Sequence, residues 1–144
     1  MFEIRRREQL TPNIYLMEIS AYWVARAAKP GQFIIIIIDD KGERIPLTIC
    51  DYNKEEGTIT IVFQIVGKST EKLAKLGKGN KLKDVVGPLG KESLLMYVPE
   101  EERANKRILF IGGGVGTAPI YPQVKWVKEH GMKADVIIGT KTHN

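Results

Sequence analysis

The segment that most restricts the fold of this chain starts at Arg107. Arg107–Ile111 is a short apolar run without polar/apolar alternation, and it leads directly into Gly112-Gly113-Gly114-Val115-Gly116-Thr117-Ala118-Pro119. A strand that lacks alternation is expected to be buried on both faces, as in a parallel sheet. Residues 118–130 then place Ile120, Val124 and Val127 on one side of a helix, and Gly131 ends it. Ala134–Ile138 is a second apolar strand, completing one β-α-β unit. A strand that turns through glycines into a helix aims backbone N–H groups at an anion and lets a diphosphate approach the main chain. The spacing is not the G-x-G-x-x-G of standard dinucleotide folds, and a tight turn of this kind could also serve packing alone. Two parallel strands and one helix cannot cover their own apolar faces. The expectation is therefore a shortened product or a chain completed by a partner.

The first hundred residues follow a different grammar, with short strands broken by turns. Phe2–Glu8 alternates loosely. Ile14–Ser20 sets Ile14, Leu16 and Met17 against Tyr15, Glu18 and Ser20, as expected of a half-buried strand. Phe33 is followed by five isoleucines, β-branched residues that suit a strand buried on both faces or at an interface. Asp39-Asp40-Lys41-Gly42 reads as a hairpin turn. Arg44–Asp51, Thr58–Val66 and Lys81–Val86 are further strands. Ser69–Leu76 changes period and reads as one small helix, ended by Gly77 and Gly79. Many short strands with one small helix predict a closed antiparallel barrel. The charged stretch Pro99–Lys106 reads as a linker, so the chain divides into residues 1–100 and 101–144.

Composition narrows the classes. The 144 residues carry a formal charge of +5, with basic residues dispersed rather than gathered into a stripe. That balance could attract a nucleotide, a nucleic acid or an acidic protein, and it equally fits solvated lysines paired with glutamates. The single cysteine, Cys50, can form neither an internal disulfide nor a zinc or iron–sulfur site, which suggests a reducing, cytoplasmic setting. The N-terminus lacks the pattern of a secretory signal, and the longest apolar run, Phe33–Ile38, is too short to span a bilayer. No membrane span and no protein-bound metal are expected.

Two more segments could carry chemistry. In Arg44-Ile45-Pro46-Leu47-Thr48, Arg44 and Thr48 are four apart and share one face of a strand. A guanidinium can clamp a diphosphate, a hydroxyl can donate to a heterocycle, and Pro46 interrupts pairing so that backbone stays open to a ligand. The alternative is an edge strand with an exposed, salt-bridging arginine. In Val66-Gly67-Lys68-Ser69-Thr70, amides and hydroxyls meet at a helix start, which suits a phosphate or serves as ordinary capping.

Taken together with Pro30-Gly31-Gln32-Phe33 and Gly87-Pro88-Leu89-Gly90, these segments resemble, in order and spacing, the ferredoxin–NADP reductase superfamily. The resemblance covers the whole chain. It is strongest to the electron-transfer subunits of dihydroorotate dehydrogenase and of the sulfide dehydrogenase or ferredoxin:NADP oxidoreductase type. It implies a six-stranded antiparallel Greek-key FAD barrel followed by the first β-α-β unit of a parallel α/β NAD(P)-binding domain. In residue terms it implies that Arg44 holds the FAD diphosphate and that Thr48 lies beside the reacting edge of the flavin. Pro46 and Leu47 belong to the same segment, Leu47 standing where an aromatic often covers the ring. Gln64 and Ile65 would line the flavin or its ribityl chain, and Gly67, Ser69 and Thr70 the diphosphate. Gly112, Gly113, Gly114, Gly116 and Thr117 would receive NAD(P)H.

The implied chemistry is hydride transfer from the nicotinamide to the flavin, with electrons passed on singly to a catalytic partner subunit or iron–sulfur carrier. The resemblance also implies a longer parent ending in a cysteine-rich 2Fe–2S site that this chain cannot form with one Cys. Lys141 stands where relatives often carry an arginine, which leaves NADH against NADPH open. His130 and His143 are expected at the surface, and Cys50 in the core near the flavin. The competing reading is a non-catalytic, basic small barrel that binds RNA or a partner protein. Tyr22-Trp23 and Trp126-Val127-Lys128 are its only aromatic hints.

Overall fold

The computed structural model describes residues 2–113 and 119–139. Among the described residues, nine strands fall into two sheets. Seven form one antiparallel sheet: β1 (Phe2–Thr11), β2 (Ile14–Ser20), β3 (Phe33–Ile37), β4 (Arg44–Asn53), β5 (Thr58–Gln64), β6 (Lys81–Leu82) and β7 (Asp84–Leu89), in the spatial order β6-β1-β2-β5-β4-β3-β7. β3, β4 and β5 are successive hairpins, and β5 returns beside β2, which is a Greek-key path. The edge strands β6 and β7 are separated in sequence by Lys83 alone, so the sheet curls into a nearly closed barrel.

The barrel thus has seven strands where the sequence reading expected six. The segment expected as one strand splits because its two halves serve opposite edges. Leu82 is fully buried and pairs with Phe2 on β1, while Val85 and Val86 pair with Ile36 and Ile35 on β3. Between them the Lys83 amide donates to the Ile38 carbonyl at 3.1 Å.

Two expected facings change. In β2 the core-facing set is Tyr15, Met17 and Ile19, whereas Ile14 and Leu16 are half-buried on the other side. The ring of Tyr15 stacks on Phe63 at 6.0 Å, and Met17 and Ile19 lie opposite Ile61 and Ile59, so cross-strand partners fix the register. The isoleucine run alternates: Ile34 and Ile36 are fully buried, while Phe33, Ile35 and Ile37 are half-buried on the outer face.

Helix α1 (Tyr22–Ala27), not anticipated from sequence, packs Val24 and Ala25 into the barrel core and lies against β4, β5 and β7. At six residues it is too short to show a period. Helix α2 is Lys68–Ala74, within two residues of expectation. The corner Pro30–Phe33 is braced by Gln32, which is 9% exposed. The Lys29 amide donates to its Oε1 (2.9 Å), and its Nε2 donates to the Gly90 carbonyl (3.0 Å). Gly31 has φ +94°, and a Cβ there would lie 2.9 Å from the Ser93 nitrogen, whose N–H donates to the Pro30 carbonyl. A side chain at this position would meet both strain and collision.

The second sheet is a parallel pair, β8 (Arg107–Gly113) and β9 (Lys133–Gly139), joined through α4 (Ile120–Glu129). Its core is Phe110, Val127 and Met132, against which Leu95, Val98, Ile108, Ile120 and Val124 pack. β8 is buried on one face only. Ile108 and Phe110 turn toward α4, whereas Leu109 and Ile111 are exposed, in contrast to the two-sided burial expected. The charged stretch after Pro99 contains a short helix, α3 (Glu100–Arg103), preceded by a 3₁₀ turn over Leu94–Tyr97. Among the described residues, two side-chain hydrogen bonds join this part to the barrel side of the chain. Lys125 Nζ meets Asp51 Oδ1 at 3.1 Å, and Ser93 Oγ donates to Gln123 Oε1 at 2.9 Å. Among the described residues no helix is long and apolar enough to cross a membrane.

Candidate functional site

The site follows from where β4 and β5 pair and where they part. Their ladder runs from Asn53↔Thr58 to Ile49↔Ile61 and goes no further. Beyond it, Arg44–Thr48 pairs only with β3, from Ile37 to Phe33. Val62–Gln64 pairs only with β2. The two strands therefore splay into a notch, one edge formed by Arg44–Thr48 and the other by Val62–Gln64, Ile65 and the start of α2. Pro46, which has no N–H, sits on the open edge, where no ladder bond is required of it.

Residue by residue, the notch gathers most of the sequence-predicted set. Arg44, Pro46 and Thr48 point to the outer face, because the alternate residues Ile45 and Ile49 are buried. Arg44 is exposed, and its guanidinium makes no ion pair among the described residues. Thr48 lies opposite Phe33 and Pro46 opposite Ile35, so a half-buried apolar strip runs beside the arginine and the hydroxyl. Leu47 turns the other way and packs against the barrel core. Gln64 is half-buried at the end of β5, and Ile65 packs on the core while its amide donates to the Asn13 carbonyl at 2.8 Å.

At the head of α2, Gly67 is exposed with open space where a Cβ would stand. Thr70 is buried, and its hydroxyl is committed to the loop. It accepts from the Val66 and Gly67 amides (2.9 and 3.2 Å) and donates to the Gly67 carbonyl (3.1 Å). Ser69 Oγ donates to Glu43 Oε2 at 2.8 Å, a bond from α2 across to the residue before Arg44. Lys72 on the same helix forms an ion pair with Asp39.

Cys50 is the extra residue of a β-bulge, where the register steps from Ile49↔Ile61 to Asp51↔Thr60. It is half-buried at the sheet surface, not in the core. Burial, followed by the negative charge of Asp51, raises its thiol pKa from 9.0 to about 11. His130 is not a free surface residue. Its ring stacks on Trp126 at 3.9 Å, and Nδ1 lies 2.7 Å from the Trp126 carbonyl oxygen. Arg103 covers that indole at 5.1 Å, so Trp126 takes part in local packing.

Of the expected nucleotide loop, Gly112 and Gly113 end β8 opposite Ile138 and Gly139, at the carboxyl edge of the parallel pair. Gly114, Gly116, Thr117, Lys141 and His143 lie outside the described residues. Glu43 escaped the sequence reading, and Gln32 entered it only as part of the Pro30–Phe33 segment, without its bracing role. Glu43 carries no local signal, since its partner Ser69 is 26 positions away. Gln32 reaches Gly90 across 58 positions.

No family model matches the chain. It is 55% identical over 141 residues to an uncharacterized protein encoded in the adh 3′ region of Clostridium beijerinckii, covering 98% of this chain and 48% of that protein. It is 38% identical over 140 residues to a dihydroorotate dehydrogenase B (NAD(+)) electron transfer subunit homolog of Thermotoga maritima, covering 97% of this chain and 47% of the relative. The chain thus spans about half the length of the curated relatives it matches. A solved structure of an NADH-dependent reduced ferredoxin-NADP oxidoreductase, described for flavin-based electron bifurcation, superposes with a TM-score of 0.89 at 37% identity. That match covers 99% of this chain and 49% of the other. Over about half of their length, the chain is similar in sequence to dihydroorotate dehydrogenase B electron-transfer subunits, and its nearly closed antiparallel barrel has the fold seen in the solved ferredoxin-NADP oxidoreductase structure.

Proposed function

We propose that this chain is the flavin-binding part of an NAD(P)H-dependent electron-transfer subunit, with FAD held in the notch between β4 and β5. The observation that carries the reading is that notch, with an arginine that has no ion-pair partner among the described residues and an outward hydroxyl along one edge, and an apolar strip beside them. The donor set fits the group. A flavin dinucleotide needs an apolar wall for its ring, a cation for its diphosphate and polar groups at the ring edge. Arg44 would clamp the diphosphate, Thr48 would hydrogen-bond the reacting edge of the ring, and Phe33 and Ile35 would exclude water from one side. Gln64 and Ile65 would line the ribityl chain, with Pro46 and Leu47 shaping the opposite edge. Gly67 would let phosphate come close, and Thr70, spent on the Val66–Gly67 backbone, would hold that loop in shape. Bound there, FAD would supply the redox chemistry, and the protein would supply position and charge.

The barrel, residues 1–100, would be the FAD domain, and residues 101–144 the first unit of the NAD(P) domain. Gly112, Gly113, Gly114, Gly116 and Thr117 would receive the nicotinamide nucleotide. Electrons would leave to a catalytic partner subunit or an iron–sulfur carrier, in line with what the relatives are named for. With Cys50 as its only thiol, this chain does not itself fit a cysteine-ligated cluster.

Fluorescence titration with FAD tests the reading. Quenching that saturates, and that weakens by about tenfold or more in Arg44→Ala through loss of a charge-assisted contact, is the expected result. Absence of any saturable quenching would overturn it. Mixing the FAD-loaded protein with NADH and with NADPH then shows which nicotinamide bleaches the flavin.

A further inference from the structure

We infer that Glu43 is a built-in competitor for the anion-binding end of the notch and sets how tightly that end takes a phosphate-bearing ligand. The inference rests on the flavin reading above. Glu43 immediately precedes Arg44 on one edge of the notch, and Ser69 stands on the other, at the start of α2. The 2.8 Å bond from Ser69 Oγ to Glu43 Oε2 closes the mouth between them. A serine hydroxyl has one proton to give, so it donates either to the Glu43 carboxylate or to a phosphate oxygen. The carboxylate thus stands in the place of the anion, next to the cation that would bind it.

Among the described residues no ion pair offsets this. Asp39 in the same turn is paired with Lys72, and among the described residues neither Glu43 nor Arg44 has an ion-pair partner. A phosphate entering here must displace the carboxylate from Ser69 and then bear its charge. Glu43 is exposed, so solvent and salt weaken the repulsion without abolishing it.

The substitution Glu43→Gln removes the charge and keeps an acceptor for Ser69, whereas Glu43→Ala also frees the hydroxyl. FAD affinity, read by fluorescence quenching in low salt, is expected to tighten about three- to tenfold in Glu43→Gln and further in Glu43→Ala. The gain should shrink at high salt. Riboflavin, which has the ring but no phosphate, should bind all three proteins equally. The remote change Glu101→Gln, which removes the same charge elsewhere, should leave FAD affinity unchanged. If the parent chain binds FAD and Glu43→Gln binds it no tighter, or if riboflavin gains equally, the inference is overturned and the flavin reading stands. If the parent chain and its variants all fail to bind FAD, both fall together.

Discussion

At the residue scale, the surroundings of Cys50 set its reactivity. Cys50 sits in the bulge beside Asp51, and both burial and that charge disfavour the thiolate. Its pKa of about 11 means that the reactive fraction at pH 8 is far below that of an ordinary thiol and grows as pH rises toward 11. Alkylation by iodoacetamide is expected to be slow at pH 8 and to accelerate in Asp51→Asn, which removes the smaller of the two causes. Mass-spectrometric time courses check this. Gln32 belongs to the same scale. Truncation to Ala leaves the Lys29 amide and Gly90 carbonyl short of a partner and is expected to cost about 2 kcal/mol in urea unfolding.

At the element scale, β3 shows how one residue type serves two faces. Five isoleucines in a row carry no alternation, so sequence could not tell the core face from the outer one. Partner strands decide it: Ile36 lies opposite Ile45 in the barrel core, while Ile35 lies opposite Pro46 on the outer wall. Ile36→Ala should therefore lose about 3 kcal/mol of stability. Ile35→Ala should lose much less and instead weaken FAD binding if that wall covers the ring. Paired urea melts and FAD titrations separate the two effects. The notch is also an element-scale feature. Pro46 signalled that pairing would be incomplete on one side of β4, and the β4–β5 ladder does stop short of it at Ile49.

At the scale of the whole molecule, the parallel pair with α4 is fastened to the barrel by Lys125–Asp51 and Ser93–Gln123. The hydrogen bond to Asp51 is the main reason that the Lys125 pKa lies above its ordinary value. A raised folded-state pKa means that the contribution is fully present below the ordinary lysine range. It is lost as pH rises through the raised value. The pair is partly exposed, so Lys125→Met should cost less than about 1 kcal/mol at neutral pH, and the difference from the parent chain should fade in strong alkali. Unfolding followed by Trp126 fluorescence on α4 provides the readout.

What the sequence determined by itself was whatever is encoded locally. The glycine-rich turn after Arg107 specifies a strand-to-helix crossover, Ser69–Leu76 specifies a helix, and Asp39–Gly42 specifies a turn, because backbone freedom and period are properties of neighbours in the chain. Tertiary structure decided what depends on distant partners. It set the facing of Tyr15, Met17 and Ile19, split Leu82 from Val85, and formed α1, which is held by packing rather than by period. It also placed Glu43 against Ser69 and opened the notch between β4 and β5. The physical reason is that strand pairing and side-chain contact join residues tens of positions apart, and the free energy that selects one register over its neighbour is realised only when the barrel closes on its core.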